Sequence, residues 1–230
     1  MNTRAMFALQ NVRVAPTLTR TLVHLHSGKR VAGLKRNPSE YLKVGGYEYG
    51  VQAENLQFVK AFLAPYALPD EVVLQVLTHK SFAHGNKPYN DKLAYIGSRF
   101  LNNFLSIREA STSSTNAHAV NGLNFDVLGS PIDKSLASPA TRYLFAKAHN
   151  LNKVLFWAAR DATIDNPHRS GEVKITNDVV CALVGAVLLQ KGEAVAQTFI
   201  QEKYLTGEHS LLAYGSKCVA ALLKHQELQS

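Results

Sequence analysis

The amino-acid sequence predicts an all-α, single-domain protein. Apolar residues recur at helical spacing in several segments, and Asn, Asp, Ser and Pro stand where those segments begin. No segment shows the alternation typical of a half-buried strand. With 230 residues, of which 46% are hydrophobic and 18% charged, the chain can fill one sizeable core. This composition excludes a disordered or fibrous protein.

The first half of the chain predicts three helices. Two amphipathic helices are expected over residues 54–63 and 70–77, on either side of a proline turn at 64–69. After a polar loop, the longest periodic stretch predicts a helix over 91–108, with Asn90 as its N-cap.

The second half predicts further helices separated by polar loops. A loop or weak helix is expected at 110–122, followed by a helix that begins at Ser138 and Pro139 and ends near Asn150. A short apolar patch at 153–159 and a charged surface loop at 160–174 come next. The last three helices are expected over 178–191, 193–204 and 210–228, and Thr176 or Asn177 caps the first of them.

The positive charge is concentrated at the start of the chain. The formal net charge is +8, and residues 1–39 hold seven Lys or Arg and no acidic residue. An arginine-rich, acid-free segment with hydroxyl and apolar residues is typical of a mitochondrial targeting segment. The alternative is a basic arm that stays on the protein and contacts RNA phosphates. A secretory signal fits this segment poorly, because polar residues interrupt every short apolar run.

Four other kinds of feature are not expected. The most apolar run, 179–189, is too short to span a bilayer, which needs roughly 20 residues. Cys181 and Cys218 form no CxxC pair and have no histidine at ligand spacing, so neither a zinc site nor a disulfide framework is predicted. No cofactor motif is present in the sequence.

Two blocks of sequence, taken together, resemble the catalytic domain of ribonuclease III. The first is Asn-Asp-Lys-Leu-Ala-Tyr-Ile-Gly-Ser at 90–98, which is similar to the family signature Asn-Glu-Arg-Leu-Glu-Phe-Leu-Gly-Asp. The second runs from Asp178 through Ala-Leu-Val-Gly-Ala at 182–186, and is similar to the family's Asp-x-x-Glu-Ala-Leu-Ile-Gly-Ala. The resemblance covers residues 54–203. It implies a ribonuclease III-like domain over 54–204, preceded by an irregular lead-in at 40–53 and followed by a C-terminal helical extension at 205–230.

The resemblance also implies that the family's chemistry has been lost. Metal-dependent phosphodiester hydrolysis needs carboxylates that hold divalent ions against the phosphate. The four family ligand positions correspond to Ala94, Ser98, Asp178 and Cys181, and Asp91 matches an additional acidic position. Because one ligand position in four is still a carboxylate, we expect an inactive domain with no bound metal. An active double-strand-specific ribonuclease using Asp91, Asp178 and a displaced carboxylate such as Glu109 is the alternative.

Other positions are assigned to packing and assembly. Gly97 and Gly185 lie within apolar helix faces, where a missing Cβ permits close approach. Tyr95 falls where family members place an aromatic residue that inserts into the partner subunit, so the resemblance implies a dimer interface that includes Tyr95 and Gly97. The competing interpretation of Tyr95 is an ordinary core residue.

The layout as a whole resembles the ribonuclease III-like proteins of the fungal mitochondrial large ribosomal subunit. Only 27 residues follow Lys203, fewer than the roughly 65 that a double-stranded-RNA-binding domain needs. The resemblance is therefore to the shorter of two such proteins. It implies a structural role in mitochondrial translation, contact with large-subunit rRNA and other subunit proteins, and a heterodimer with the longer protein. A free matrix RNA-processing factor is a further alternative.

Residues 141–174 are the most basic part of the chain after the leader. Phosphate contacts from this segment would position the protein without reading sequence. The candidate RNA-binding residues are Arg142, Lys147, Lys153, Arg160, Arg169 and Lys174.

Overall fold

A computed structural model describes residues 42–159 and 164–227. The predicted leader and Arg160 lie outside the described residues. The helices are α1 (Ala53–Leu63), α2 (Asp70–Val76), α3 (Asp91–Ala110), α4 (Pro131–Ala137), α5 (Pro139–Ala148), α6 (Pro167–Ser170), α7 (Glu172–Lys191), α8 (Glu193–Phe199) and α9 (Leu211–Glu227), and the strands are β1 (Lys43–Val44) and β2 (Tyr47–Glu48). The all-α prediction is confirmed.

The lead-in forms a small antiparallel hairpin. Val44 pairs with Tyr47 across a turn made by Gly45 and Gly46, both at positive φ, which glycine adopts without steric cost. The side-chain amide of Asn55 in α1 donates to the carbonyls of Glu48 and Gly50, each at 2.8 Å. The hairpin is thereby attached to the first helix.

Helix α7 is the centre of the core. Its residues from Val179 to Val187 are all buried, which explains why this segment is apolar on every face rather than on one stripe. Helix α3 packs along it, and α5 and α8 also contact it. Within the described residues, no helix is long and apolar enough to cross a membrane.

A cluster of aromatic rings closes the core beside α7. Phe62, Phe145, Phe199 and Tyr204 lie with ring centroids 4.9–6.0 Å apart, mostly edge to face. The hydroxyl of the fully buried Tyr204 donates to the carbonyl of Val180 at 2.8 Å. This bond ties the segment after α8 to the central helix.

Two helix predictions need correction. Helix α7 begins at Glu172, six residues before the predicted start at 178, because Gly171 at φ 95° ends the short α6 and lets a new helix start at once. Thr176, predicted as a cap, is fully buried inside the helix. Helix α4 was not predicted, although Ser130 and Pro131 begin it as Ser138 and Pro139 begin α5.

Candidate functional site

A surface cleft of about 740 Å³ lies between the N-terminal halves of α3 and α7. The four positions expected to correspond to the family's metal ligands all line it, and so does the additional acidic position: Ala94, Ser98, Asp178 and Cys181, with Asp91. Spacings of three and four residues along α3, and of three residues along α7, place them on the faces that meet. The structure therefore brings together residues of two segments that lie 80 or more positions apart in the sequence.

Two glycines allow the helices to approach this closely. A Cβ at Gly97 would lie 1.9 Å from the carbonyl oxygen of Cys181, and a Cβ at Gly185 would lie 2.1 Å from that of Leu93. The predicted packing role of the two glycines is thus visible in the backbone geometry. The assignment of Gly97 to a dimer interface needs correction, because Gly97 is buried against α7 of the same chain.

Asn90 anchors the start of α3. Its side-chain amide donates to the carbonyl of Val76 at 2.9 Å, and its backbone N–H donates to Thr78 at 2.9 Å. Asn90 occupies the N-cap position as predicted, but its side chain makes no capping hydrogen bond. It joins α3 to the end of α2, and so places His79 and Lys80 at the rim of the cleft.

The remaining acidic groups of the cleft differ in environment. Asp91 is exposed and pairs with Lys80, with 3.3 Å between carboxylate oxygen and ammonium nitrogen. Burial raises the pKa of Asp178, against the opposing effects of the Asn177 hydrogen bond, His79 and Lys174. Burial has the opposite effect on His79, whose charged form is the protonated one: it lowers the pKa of the ring, although the nearby Asp178 acts to raise it. His79 Nδ1 accepts from the backbone N–H of Ser81 at 3.1 Å, which favours the neutral ring.

The cleft does not present the ligand set that a divalent ion needs. Mg²⁺ takes hard oxygen ligands in near-octahedral geometry, and the carboxylates lining this cleft are Asp91, which is paired with Lys80, and Asp178. Nowhere in the described residues do three His, Cys, Asp or Glu side chains come together as a metal site would require.

Arg142 lies buried behind the cleft. It is 3% exposed, and its guanidinium donates to Asn102, to Asn177 at 3.4 Å and to the sulfur of Cys181 at 3.3 Å. This burial corrects its place among the RNA-binding candidates, because RNA cannot reach the side chain in this structure. Burial raises the pKa of the Cys181 thiol against the opposing effect of Arg142.

The other basic candidates are spread over the surface. Lys147, Lys153, Arg169 and Lys174 are exposed, and of these Lys174 lines the cleft. Lys80 and Lys92 also line the cleft, although neither was predicted as a site residue. Lys92 lies within the first motif and Lys80 lies ten residues before it, and this was the sequence signal that could have indicated them.

An exposed aromatic residue stands at the edge of the cleft. Tyr95 is 63% exposed, which rules out the interpretation of this residue as core. The guanidinium of Arg99 lies 5.5 Å from the centre of its ring, and the adjacent Ile96 is also exposed. An apolar surface of this kind is open to a partner.

Comparison with solved structures agrees with the helical fold described above. The nuclease domain of ribonuclease III from Campylobacter jejuni superposes with a TM-score of 0.51 at 19% identity, covering 64% of this chain and 94% of the domain. A second crystal structure of the same domain gives the same TM-score, with 65% and 92% covered. The protein therefore has the fold of a ribonuclease III nuclease domain.

The chain belongs to the Ribonuclease-III-like family, whose profile matches residues 69–207. Among its relatives is a protein of Neurospora crassa named large ribosomal subunit protein mL57, 26% identical over 60% of this chain and 55% of the relative. The protein of the same name from Schizosaccharomyces pombe is 28% identical over 57% of this chain and 59% of the relative. The matches thus span somewhat more than half the length of each relative.

Proposed function

We propose that this protein is a structural component of the mitochondrial large ribosomal subunit, in which a ribonuclease III-like domain acts as a scaffold for rRNA and neighbouring proteins. The observation that carries the proposal is that two carboxylates line the cleft formed by the two family motifs, and that one of them, Asp91, is paired with a lysine. The names of two relatives as large ribosomal subunit proteins support the same role. The acid-free residues 1–39 support import into the mitochondrial matrix.

The proposal includes the loss of nuclease activity. At the positions expected to hold metal ligands, Ala94 offers no donor, Ser98 is bonded to the carbonyl of Tyr95, and Cys181 offers a buried thiol. Asp178 alone would leave an incoming phosphate without the divalent ions that stabilise charge in phosphoryl chemistry. The cleft is thus suited to binding rather than to hydrolysis.

Contact with rRNA is assigned to two groups of exposed lysines and arginines. Lys80, Lys92 and Lys174 surround the cleft, while Lys147, Lys153 and Arg169 lie elsewhere on the surface. Lysines of this kind contact phosphates as point charges and read no sequence. Such contacts would fix the domain on RNA whose sequence it does not recognise.

The exposed face of α3 is assigned to a partner subunit. Tyr95 and Ile96 are apolar and exposed on the helix through which ribonuclease III-like domains are expected to pair. We infer a heterodimer with a longer ribonuclease III-like ribosomal protein. The division of the chain into a leader at 1–39, a lead-in at 40–53, a domain at 54–204 and an extension at 205–230 belongs to the same proposal.

Sedimentation of the tagged protein in a gradient of mitochondrial lysate tests the ribosomal assignment. We expect the protein to migrate with the large subunit and to shift with it when subunits are dissociated. Migration in light fractions would instead indicate a free matrix processing factor.

A nuclease assay tests the proposed inactivity. The purified protein, with and without its partner, is incubated with duplex RNA and Mg²⁺ or Mn²⁺, and no cleavage above background is expected. Cleavage that disappears on Asp178→Ala would establish an enzyme instead.

A further inference from the structure

The buried guanidinium of Arg142 joins the helices that form the cleft. Arg142 lies on α5, and its three hydrogen-bond partners lie on α3 and α7. Asn177 and Cys181 line the cleft on α7, and Asn102 follows the cleft residue Ser98 by one helical turn on α3. The guanidinium therefore sits directly beneath the cleft, between the two motif helices.

This positive charge has only neutral partners in the described part of the chain. Two amide oxygens and one sulfur accept from Arg142, its Nε is buried without a partner, and none of the described carboxylates is paired with it. A buried charge without a counter-charge is destabilising, and charged residues are seldom fully buried unless they are paired. Among the residues that the structure describes, Arg142 is therefore an internal cation without a paired anion.

We propose that the Arg142 guanidinium takes the place of the metal ions as the positive group that joins the two motif helices, with neutral acceptors in place of carboxylates. In a metal-dependent site, a divalent ion neutralises carboxylates on two helices and holds those helices together. Here a guanidinium contacts the same two helices from the inside, and one of its partners is Cys181, at the position expected to hold a ligand carboxylate. This inference deepens the proposed loss of metal-dependent activity.

The proposal has a specific consequence for attempts to return a carboxylate to position 181, where the family motif has glutamate. A carboxylate at position 181 would lie within reach of the Arg142 guanidinium, whose nitrogen is 3.3 Å from the present sulfur. It would form a salt bridge with Arg142 and would not be free to bind a metal ion. A carboxylate at position 181 would therefore not restore a metal site, because Arg142 would pair with it and because the other ligands are missing.

The experiment compares Cys181→Asp with its neutral isostere Cys181→Asn in the full-length chain, by thermal unfolding in EDTA and in Mn²⁺. We expect Cys181→Asp to melt about 3–6 °C above Cys181→Asn at pH 7 in EDTA, because a buried pair replaces an uncompensated charge. Mn²⁺ should move the melting temperature of Cys181→Asp by less than about 1 °C, since no metal binds the folded state.

The reverse order of the two variants in EDTA would overturn the proposal, as would stabilisation of Cys181→Asp by Mn²⁺. In an Arg142→Gln background the advantage of Cys181→Asp over Cys181→Asn should disappear, and its persistence there would also count against the proposal. Should Arg142→Gln not fold, the first comparison still decides the question. All these measurements use the isolated protein, so their failure leaves the sedimentation test of the proposed function untouched.

Discussion

Asp178 is the more buried of the two carboxylates in the cleft, and its environment makes a pH-dependent prediction. Because burial raises its pKa in the folded state, the native protein holds this proton to higher pH than the unfolded chain. The contribution of Asp178 to stability is therefore highest at acidic pH and is lost as pH rises through the folded-state pKa.

Asp178→Asn removes that titration, and we expect the variant to be more stable than wild type at pH 7. The difference should shrink toward zero at about pH 3, where the carboxyl is largely protonated in both states. Urea unfolding at the two pH values measures this, with the exposed Asp165→Asn as the control for net charge. A difference that is constant with pH would contradict the argument.

Gly97 carries the closest contact between the two motif helices. In Gly97→Ala the new methyl group would lie 1.9 Å from the Cys181 carbonyl, so α3 and α7 must separate along much of their length. We expect a loss of more than about 2 kcal/mol in the free energy of unfolding, measured by chemical denaturation.

Gly215→Ala in α9 is the matched control for Gly97→Ala. Its methyl group would meet the flexible end of the Leu136 side chain at 2.9 Å, not backbone. We expect a change within about 1 kcal/mol, since alanine's helix propensity offsets a small side-chain shift. An equal loss in the free energy of unfolding for the two variants would show that α3 and α7 are packed less closely than described.

At the level of the helices, α3 presents two different faces. One face packs on α7 through Gly97, while Tyr95, Ile96 and Ile107 are exposed on the other. Tyr95→Glu should leave the fold intact and reduce capture of the co-expressed longer ribonuclease III-like protein by about tenfold or more, because central aromatic residues dominate interface energy.

The matched control for Tyr95→Glu is Val120→Glu. Val120 is also 63% exposed, but it lies in the loop after α3. Both variants should show the melting temperature of wild type, and Val120→Glu should retain full capture of the partner. Undiminished capture by Tyr95→Glu would place the interface elsewhere.

The sequence predicted those helices whose signals are local. The period of 91–108 and the Ser138–Pro139 pair each fixed an element, and both were found within two residues of the expected bounds. The predicted start of α7 was wrong, because the first turns of this helix contain charged residues and lie outside the apolar run. The burial of Arg142 could not be predicted, because its partners come from two helices that only the tertiary fold brings together.

For the molecule as a whole, net charge is a poor guide to where RNA would bind. Most of the net charge of +8 resides in residues 1–39, and the rest of the chain is nearly neutral. Any phosphate contact by the domain must therefore depend on local groups of basic residues, such as the cleft lysines Lys80, Lys92 and Lys174. Two aspartates in the same cleft moderate their field, and Lys80 already has Asp91 as a partner.

Replacing the three cleft lysines with glutamine should weaken binding to a 20-base-pair RNA duplex and make it less dependent on salt. The slope of log K against log salt concentration is negative, and each lost phosphate contact reduces its magnitude by about 1. The magnitude for the triple variant should therefore be smaller by about 2–3. The control replaces Lys60, Lys134 and Lys224, which changes net charge equally; Lys60 is paired with Asp70 much as Lys80 is with Asp91. If the slope changes by the same amount in both triple variants, the domain binds RNA through its overall charge, and the cleft has no special part in the binding. If the cleft variant alone loses slope, the cleft itself contacts RNA phosphates without the metal ions that catalysis would require.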